Sequence, residues 1–240
     1  MENINSKSSA IGGSRANYEN STPQFQYLDY GNSSLNVWSS GSASSWDLLS
    51  YFGSGSYGYD NKYHVSATVR ADACSRFAPN NRWGYFPSVS GGWVISKEEF
   101  MQKADWISNL KLRASWGQSG NQEIPDFAWL NLYTLGTNPQ LTRIGNPDIK
   151  WETTTQKNIG VDLSVMQNKL TFSADYFTKM TDDILLEVKL PGLVGDFDPT
   201  IINSGSVSNK GIEFAVNFKN NDHEFKYNEN ANLSTLTNRV

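Results

Sequence analysis

The side chains best suited to catalysis or metal binding are few in this 240-residue chain: His64, His223, Cys74 and three carboxylate pairs. A zinc site needs His or Cys ligands grouped at short spacings such as H-x-x-x-H. His64 alternates onto a polar strand face, His223 falls at a turn, and neither has such a neighbour. Cys74 stands alone, so no intrachain disulfide is possible, and no activating partner is evident beside it. Ser96-Lys97-Glu98-Glu99 has the pattern of a capping box, and the two glutamates are expected to stabilise the first turn of a short helix. Asp182-Asp183 and the pair Asp196 and Asp198 share one long loop where a calcium ion could bind, but the EF-hand spacing is absent. Gly53-Ser54-Gly55-Ser56-Tyr57-Gly58 spells G-x-G-x-x-G. Pyrophosphate binding needs a helix N-terminus behind such glycines. Here a tight turn and another strand follow, so the glycines read as strand residues where space is crowded. Trp129 and Tyr133 are candidates to stack on a sugar ring, although packing against neighbouring loops is the commoner role of such aromatics. No catalytic, cofactor or metal site is expected, and no enzyme chemistry.

The elements that position these residues are strands. Charged residues make up 18% and aromatics 13%, low and high respectively for a soluble globular protein, and Gly, Ser, Asn and Thr fill the difference. A net charge of −4 gives no electrostatic reason to expect nucleic acid. No apolar run approaches the ~18 residues of a membrane helix. Strands that cross a bilayer alternate, so this excludes a helical membrane protein and not a barrel. The residues after Met1 show neither a basic n-region nor an apolar core, so no signal peptide is read.

From residue 48 onward the hydrophobic pattern has a period of two. Tyr63, Val65, Ala67, Val69 and Ala71 share one face, with Ser66, Thr68, Arg70 and Asp72 on the other. Leu110, Leu112, Ala114 and Trp116 oppose Lys111, Arg113 and Ser115; Ile159, Val161, Leu163 and Val165 oppose Asn158, Gly160, Asp162 and Ser164. Phe172, Ala174 and Tyr176, and later Ile212, Phe214, Val216 and Phe218, continue the apolar side. About eight strands follow, near 48–59, 63–72, 84–96, 109–119, 151–166, 169–180, 209–219 and 224–237. Residues 1–47, rich in Ser, Gly and Asn without a sustained period, read as a long loop or a frayed edge.

Short joins (Asp60 to Lys62, Gln167 to Lys169, Asn220 to His223) alternate with long ones, as periplasmic turns and extracellular loops do in outer-membrane barrels. One join on the short side, from Ser96, reads as helical. Aromatics gather near strand ends: Trp83, Tyr85, Trp116, Trp151 and Tyr176 on the long-loop side, with Tyr59, Tyr63 and Trp106 opposite. Long hairpin-joined strands with wet, charged polar faces favour an all-β, antiparallel up-and-down membrane barrel. A soluble β-sandwich binding module and a small closed barrel serving as adhesin or anchor stay open as alternatives.

At Arg70 the pattern becomes specific. Arg70-Ala71-Asp72-Ala73-Cys74-Ser75-Arg76-Phe77 resembles the R-x-D-G-S-S-R-F signature of SusC/RagA-like TonB-dependent receptors, with Ala73-Cys74 in place of the usual Gly-Ser. Further blocks follow in family order: Trp83-Gly84-Tyr85-Phe86-Pro87-Ser88 with Trp93, then Leu110-Lys111-Leu112-Arg113 with Gly117, Gly120 and Asn121. Trp151-Glu152, Gly160 with Asp162, Asn203-Ser204-Gly205 and Gly211-Ile212-Glu213 complete the resemblance, which is weak only over residues 1–47. It implies part of a barrel of about 22 strands, not closed on its own, in a bacterial outer membrane. It further implies import of oligosaccharides or other bulky nutrients beneath a SusD-like surface lipoprotein, energised by the TonB complex. The family's plug domain and TonB-interacting segment have no counterpart here, and no terminal aromatic closes the last strand, so transport by this chain alone is not expected.

Overall fold

The computed structural model describes residues 1–15, 36–134, 140–191, 195, 197–220 and 226–240. Nine long strands form one antiparallel sheet, ordered β1-β2-β3-β4-β5-β8-β9-β12-β13. They are β1 (Glu2–Arg15), β2 (Asn36–Tyr59), β3 (Tyr63–Cys74), β4 (Trp83–Val94), β5 (Ile107–Asn121), β8 (Glu152–Val165), β9 (Leu170–Asp182), β12 (Ser206–Asn220) and β13 (Tyr227–Arg239). Each pairs with the next long strand in the chain, giving the expected meander, and β1 and β13 lie at its two open edges. Two small hairpins, β6 (Leu132–Thr134) with β7 (Gln140–Arg143) and β10 (Leu185–Val188) with β11 (Thr200–Asn203), decorate the long connections.

The strand count exceeds the expectation by one, because the first 47 residues are not a loop where they are described. Glu2 to Arg15 pairs with Asn36 to Ser50. Period-two alternation reports unlike faces, and this ribbon of Ser, Gly and Asn has polar groups on both sides, so its strands carry no such signal. At 24 residues β2 is more than twice the ~9–11 residues of a membrane-crossing strand. Its glycine-rich G-x-G-x-x-G run lies within the paired strand, where no helix stands behind it, but the expected crowding is absent: a Cβ at Gly53 or Gly55 would meet nothing within 4 Å.

The tight turns were legible. Asp60 and Asn61 both have φ 50°, and Met166, Gln167 and Asn168 have φ 52°, 58° and 66°. Asn and Asp tolerate this left-handed region better than other residues with a side chain. The third expected turn, Asn220 to His223, lies outside the described residues beyond Asn220.

Register carries the alternation across the sheet. One apolar row runs Tyr63, Trp93, Leu112, Val161, Ala174, Phe214, Leu233, each residue paired with the next. Another runs Val65, Gly91, Ala114, Ile159, Tyr176, Ile212. These faces are exposed, not buried under a second layer: Ile159 is 58% accessible and Phe214 47%. The buried hydrophobic cluster sits elsewhere, at the long-loop end of the polar face, around Phe77, Phe86, Ile149 and Trp151.

The helix expected after Ser96 is replaced by two short 3-10 turns, Ile95–Lys97 and Glu99–Met101. Ser96 and Glu99 close no capping box, neither turn having a side-chain cap, and the residue that breaks the helix between them is Glu98. Its backbone is extended, and its carboxylate accepts hydrogen bonds from Tyr63 Oη (2.5 Å), Trp93 Nε1 (2.9 Å) and Lys62 Nζ (3.4 Å). The hydrogen bonds from Tyr63 and then Trp93 hold this carboxyl below its ordinary value of 4.5. A depressed carboxyl favours the folded state above the ordinary value and loses that contribution as pH falls through the lowered one. Trp93 fluorescence is therefore expected to stay constant from neutral pH down to about 5 and to change only below the ordinary carboxylate range. In Glu98→Gln that acid change should vanish. A transition centred near neutrality would contradict the assignment.

Candidate functional site: the polar face and the loop collar

The charged residues that alternation placed on the polar face form a ladder once the register brings them together. Arg113 stands on β5 directly opposite Gly160 of β8, which is opposite Asp175 of β9, which is opposite Glu213 of β12. Arg113 Nε donates to Asp162 Oδ2 at 2.7 Å and its Nη2 to Asp162 Oδ1 at 3.0 Å. The same Nη2 reaches Asp175 Oδ2 at 3.1 Å. A Cβ at position 160 would run into the Asp175 carboxylate and come within 2.9 Å of Arg113 Nη2. Gly160 is the gap through which the guanidinium bridges two strands. Arg70 and Asp72, two apart on β3, pair in the same way at 2.8 Å, and Arg70 Nη2 also donates to the buried Ser50 hydroxyl at 3.1 Å.

Beside this ladder the polar face is smooth. Ser66, Ser90, Ser115 and Asn158 lie in one paired row, with Ser66 and Ser90 hydroxyls 2.7 Å apart. Together with His64, Lys111 and Arg113 they border a depression of about 360 Å³. Lys111 lies across Gly92, while its cross-strand neighbour Asp162 is occupied by Arg113.

At the long-loop end the signature residues build a collar. Ser75 accepts the backbone N–H of Asp47 at 2.8 Å. Arg76 donates to Asp126 Oδ1 at 2.8 Å and lies over the Trp46 ring at 4.5 Å, while Ser44 also bonds Asp126. Phe77 is fully buried and packs on Trp151 at 5.1 Å between centroids. Phe86 meets Trp151 edge-on at 5.4 Å and fills the space left by Gly84 and Gly120, where any Cβ would strike its ring. Trp151 Nε1 donates to the Arg82 carbonyl at 2.9 Å. The two long connections are tied together by Asn203: its Nδ2 donates to the carbonyls of Lys150 and Asp183, both at 2.8 Å, and its Oδ1 accepts Lys150 N–H at 2.9 Å. Glu152 accepts Leu185 N–H at 3.1 Å and Asn121 Nδ2 at 3.4 Å, and Gly205 follows with φ 79°.

Several expectations change. Trp151 is 6% exposed inside the collar and belongs to no interfacial belt. Tyr176 stands mid-strand opposite Ile159, not near a strand end. Two exposed stacks do form belts: Tyr51, Trp83 and Tyr85 at the loop end, and Tyr59, Tyr63 and Trp93 at the turn end. Trp129 is half-buried before β6, whereas Tyr133 in β6 is 55% exposed. Cys74 is buried in the hydrophobic cluster. Asp183 pairs with Lys150 at 2.7 Å, and Asp196 and His223 lie outside the described residues. Among the described residues no three His, Cys, Asp or Glu side chains gather as metal ligands. The collar contacts of Asp126 and Arg143 had no sequence signal, since loop partners follow no period; Arg143 is buried and donates to the Asp126 carbonyl at 3.1 Å.

A single open meander with an exposed apolar face, a charge-laddered polar face and a collar of long loops is the wall of a β-barrel. Residues 3–239 match the family described as TonB dependent receptor-like, beta-barrel, and the chain belongs to that family. It is 40% identical over 192 residues to TonB-dependent receptor P39 of Formosa agariphila, covering 74% of this chain and 18% of that protein. It is 39% identical over 187 residues to TonB-dependent receptor SusC of Bacteroides thetaiotaomicron, covering 72% and 18%. The chain thus spans about a fifth of the length of these curated relatives. Its fold matches the RagAB peptide transporter with a TM-score of 0.84 at 27% identity, over 98% of this chain and 27% of that one. The family comprises outer-membrane transporters and receptors, not enzymes.

Proposed function

We propose that this chain is part of the wall of a TonB-dependent outer-membrane importer that takes up oligosaccharides or other bulky nutrients with a SusD-like surface lipoprotein. The observation that carries the reading is the division of one sheet into an exposed apolar face and a polar face bearing the Arg113 ladder. Such a division suits a wall between acyl chains and a wet lumen. The likeness to SusC and to a peptide transporter supports nutrient import and keeps peptides beside oligosaccharides as cargo, with Trp129 and Tyr133 as candidate sugar contacts. A small closed barrel needs its first and last strands to pair, and β1 and β13 do not pair among the described residues. A soluble sandwich needs a second layer over the apolar face, which stands exposed.

Uptake of fluorescent oligosaccharides and peptides by cells carrying the complete receptor is the direct test. Uptake of one class should disappear on deletion of the receptor gene and on collapse of the proton gradient. A surface lipoprotein should also co-purify with the receptor. Uptake indifferent to both treatments would overturn the reading.

A further inference from the structure

On β8, β12 and β13 three cations depart from the rule that charge lies on the polar face. Lys157, Lys210 and Arg239 share the parity of the apolar residues of β8, β12 and β13. Lys157 is opposite Thr178, Thr178 opposite Lys210, and Lys210 opposite Thr237, while Arg239 stands opposite Ser208, two residues further up. All three are exposed, and none makes an ion pair with a described residue. Trp116 pairs with Lys157 on the other side. The nearest acid of that face is Asp182, higher up opposite Thr153, while Glu229 is at the far end opposite Phe218.

Their height along the strands matters. Counted from the turn ends, they stand roughly eight to twelve residues up, at the top of the ~9–11 residues that cross a bilayer. Exposed Ile159, Tyr176 and Ile212 lie immediately below. One strand, β9, separates Lys157 from Lys210, and the two inter-strand spacings put their backbones about 10 Å apart, so like charges gather beside a greasy strip. Long cationic side chains there can snorkel to headgroup level. A ligand that neutralises them while covering the strip must carry both an anionic headgroup, for which a lipid phosphate is suited, and acyl chains.

We propose that Lys157, Lys210 and Arg239 form a seat for the phosphate groups of an outer-leaflet lipid whose acyl chains lie along Ile159, Tyr176 and Ile212. Thr178 and Thr237, set between the cations, supply hydroxyl donors to the same headgroup. An acidic soluble protein would satisfy the charges but leave the apolar strip uncovered. The seat rests on the membrane-wall reading above, and is independent of what the importer carries.

The test uses the complete receptor in nanodiscs of phosphatidylcholine containing about a tenth phosphatidic acid, with lipid extracted from the purified complex. Each cation near a bilayer surface is worth about a five-fold enrichment of anionic lipid, so retained phosphatidic acid should exceed its bulk share about five-fold or more. K157Q/K210Q/R239Q should bring it to the bulk share, and K179Q, on the polar face, should leave it high. Equal enrichment in the triple variant would overturn the seat. So would millimolar inorganic phosphate stabilising the detergent-solubilised receptor as much as phosphatidic acid does, which marks a free-anion site. Failure of the receptor to enter discs of any composition would sink the membrane-wall reading itself, a result distinct from insertion without lipid preference.

Discussion

Trp151→Ala is expected to destabilise the loop collar by about 3–5 kcal/mol, the usual range for emptying a buried tryptophan site. The indole is 6% exposed, packs on Phe77 at 5.1 Å and Phe86 at 5.4 Å between centroids, and donates to the Arg82 carbonyl at 2.9 Å. Its removal takes one of two donors from that carbonyl, which keeps the Cys74 N–H at 3.1 Å, and opens a void that Gly84 and Gly120 cannot fill. The damage should be local, because the long strands hold one another by backbone pairing and need nothing from the collar. In the complete receptor, trypsin should then cut after Arg76, Arg82 or Arg143, while the barrel keeps its folded electrophoretic mobility. Trp151→Phe, which keeps most of the ring packing and loses one of the carbonyl's two hydrogen bonds, should cost about 0.5–1.5 kcal/mol. Collar proteolysis unchanged in Trp151→Ala would place the indole at a surface belt after all.

That belt was the natural reading of the sequence, and the reason is instructive. A tryptophan at the edge of an alternating segment has the same spacing whether it turns toward lipid or toward packed loops. What distinguishes the two here is a pair of glycines 31 and 67 residues away, whose missing side chains make room for Phe86 and so define the inner pocket. The alternating strands were legible because they separate two unlike surroundings, and parity alone assigned Arg113, Asp162 and Asp175 to one face. Their partnership was not legible, since Asp162 is 49 residues from Arg113 and Asp175 62 residues, and only register makes them neighbours. The Glu2 to Arg15 strand was hidden for the opposite reason, having no unlike faces to report. Ser96 to Glu99 looked like a capping box because local pattern cannot see that Tyr63 and Trp93 hold the carboxylate of Glu98, whose extended backbone interrupts the helix between the two box residues. The signature loop was recognisable as a motif, yet its role, tying Asp47 and Asp126 to the strand ends, appears only in three dimensions.

Val161→Arg should block assembly of the complete receptor, whereas Asp162→Asn, its immediate neighbour, should be tolerated. Val161 is the fifth residue from the turn end of β8, about half-way up the ~9–11 residues that cross a bilayer, on the apolar face, 38% exposed, between Leu112 and Ala174. Arginine at a barrel's lipid-facing midplane costs about 2–4 kcal/mol, and no acidic residue lies in that row to receive it. Asp162 faces the other way. Its carboxylate is 27% accessible and pairs with Arg113, which keeps Asp175 as a second partner when Asp162 is neutralised. A partly exposed pair of this kind contributes about 0–1 kcal/mol, too little to stop folding. The folded, heat-modifiable fraction recovered from outer membranes distinguishes the two variants in one gel. Similar recovery of both would mean that the two sides of β8 meet the same solvent, and the assignment of an acyl-facing and a water-facing surface would fail with it.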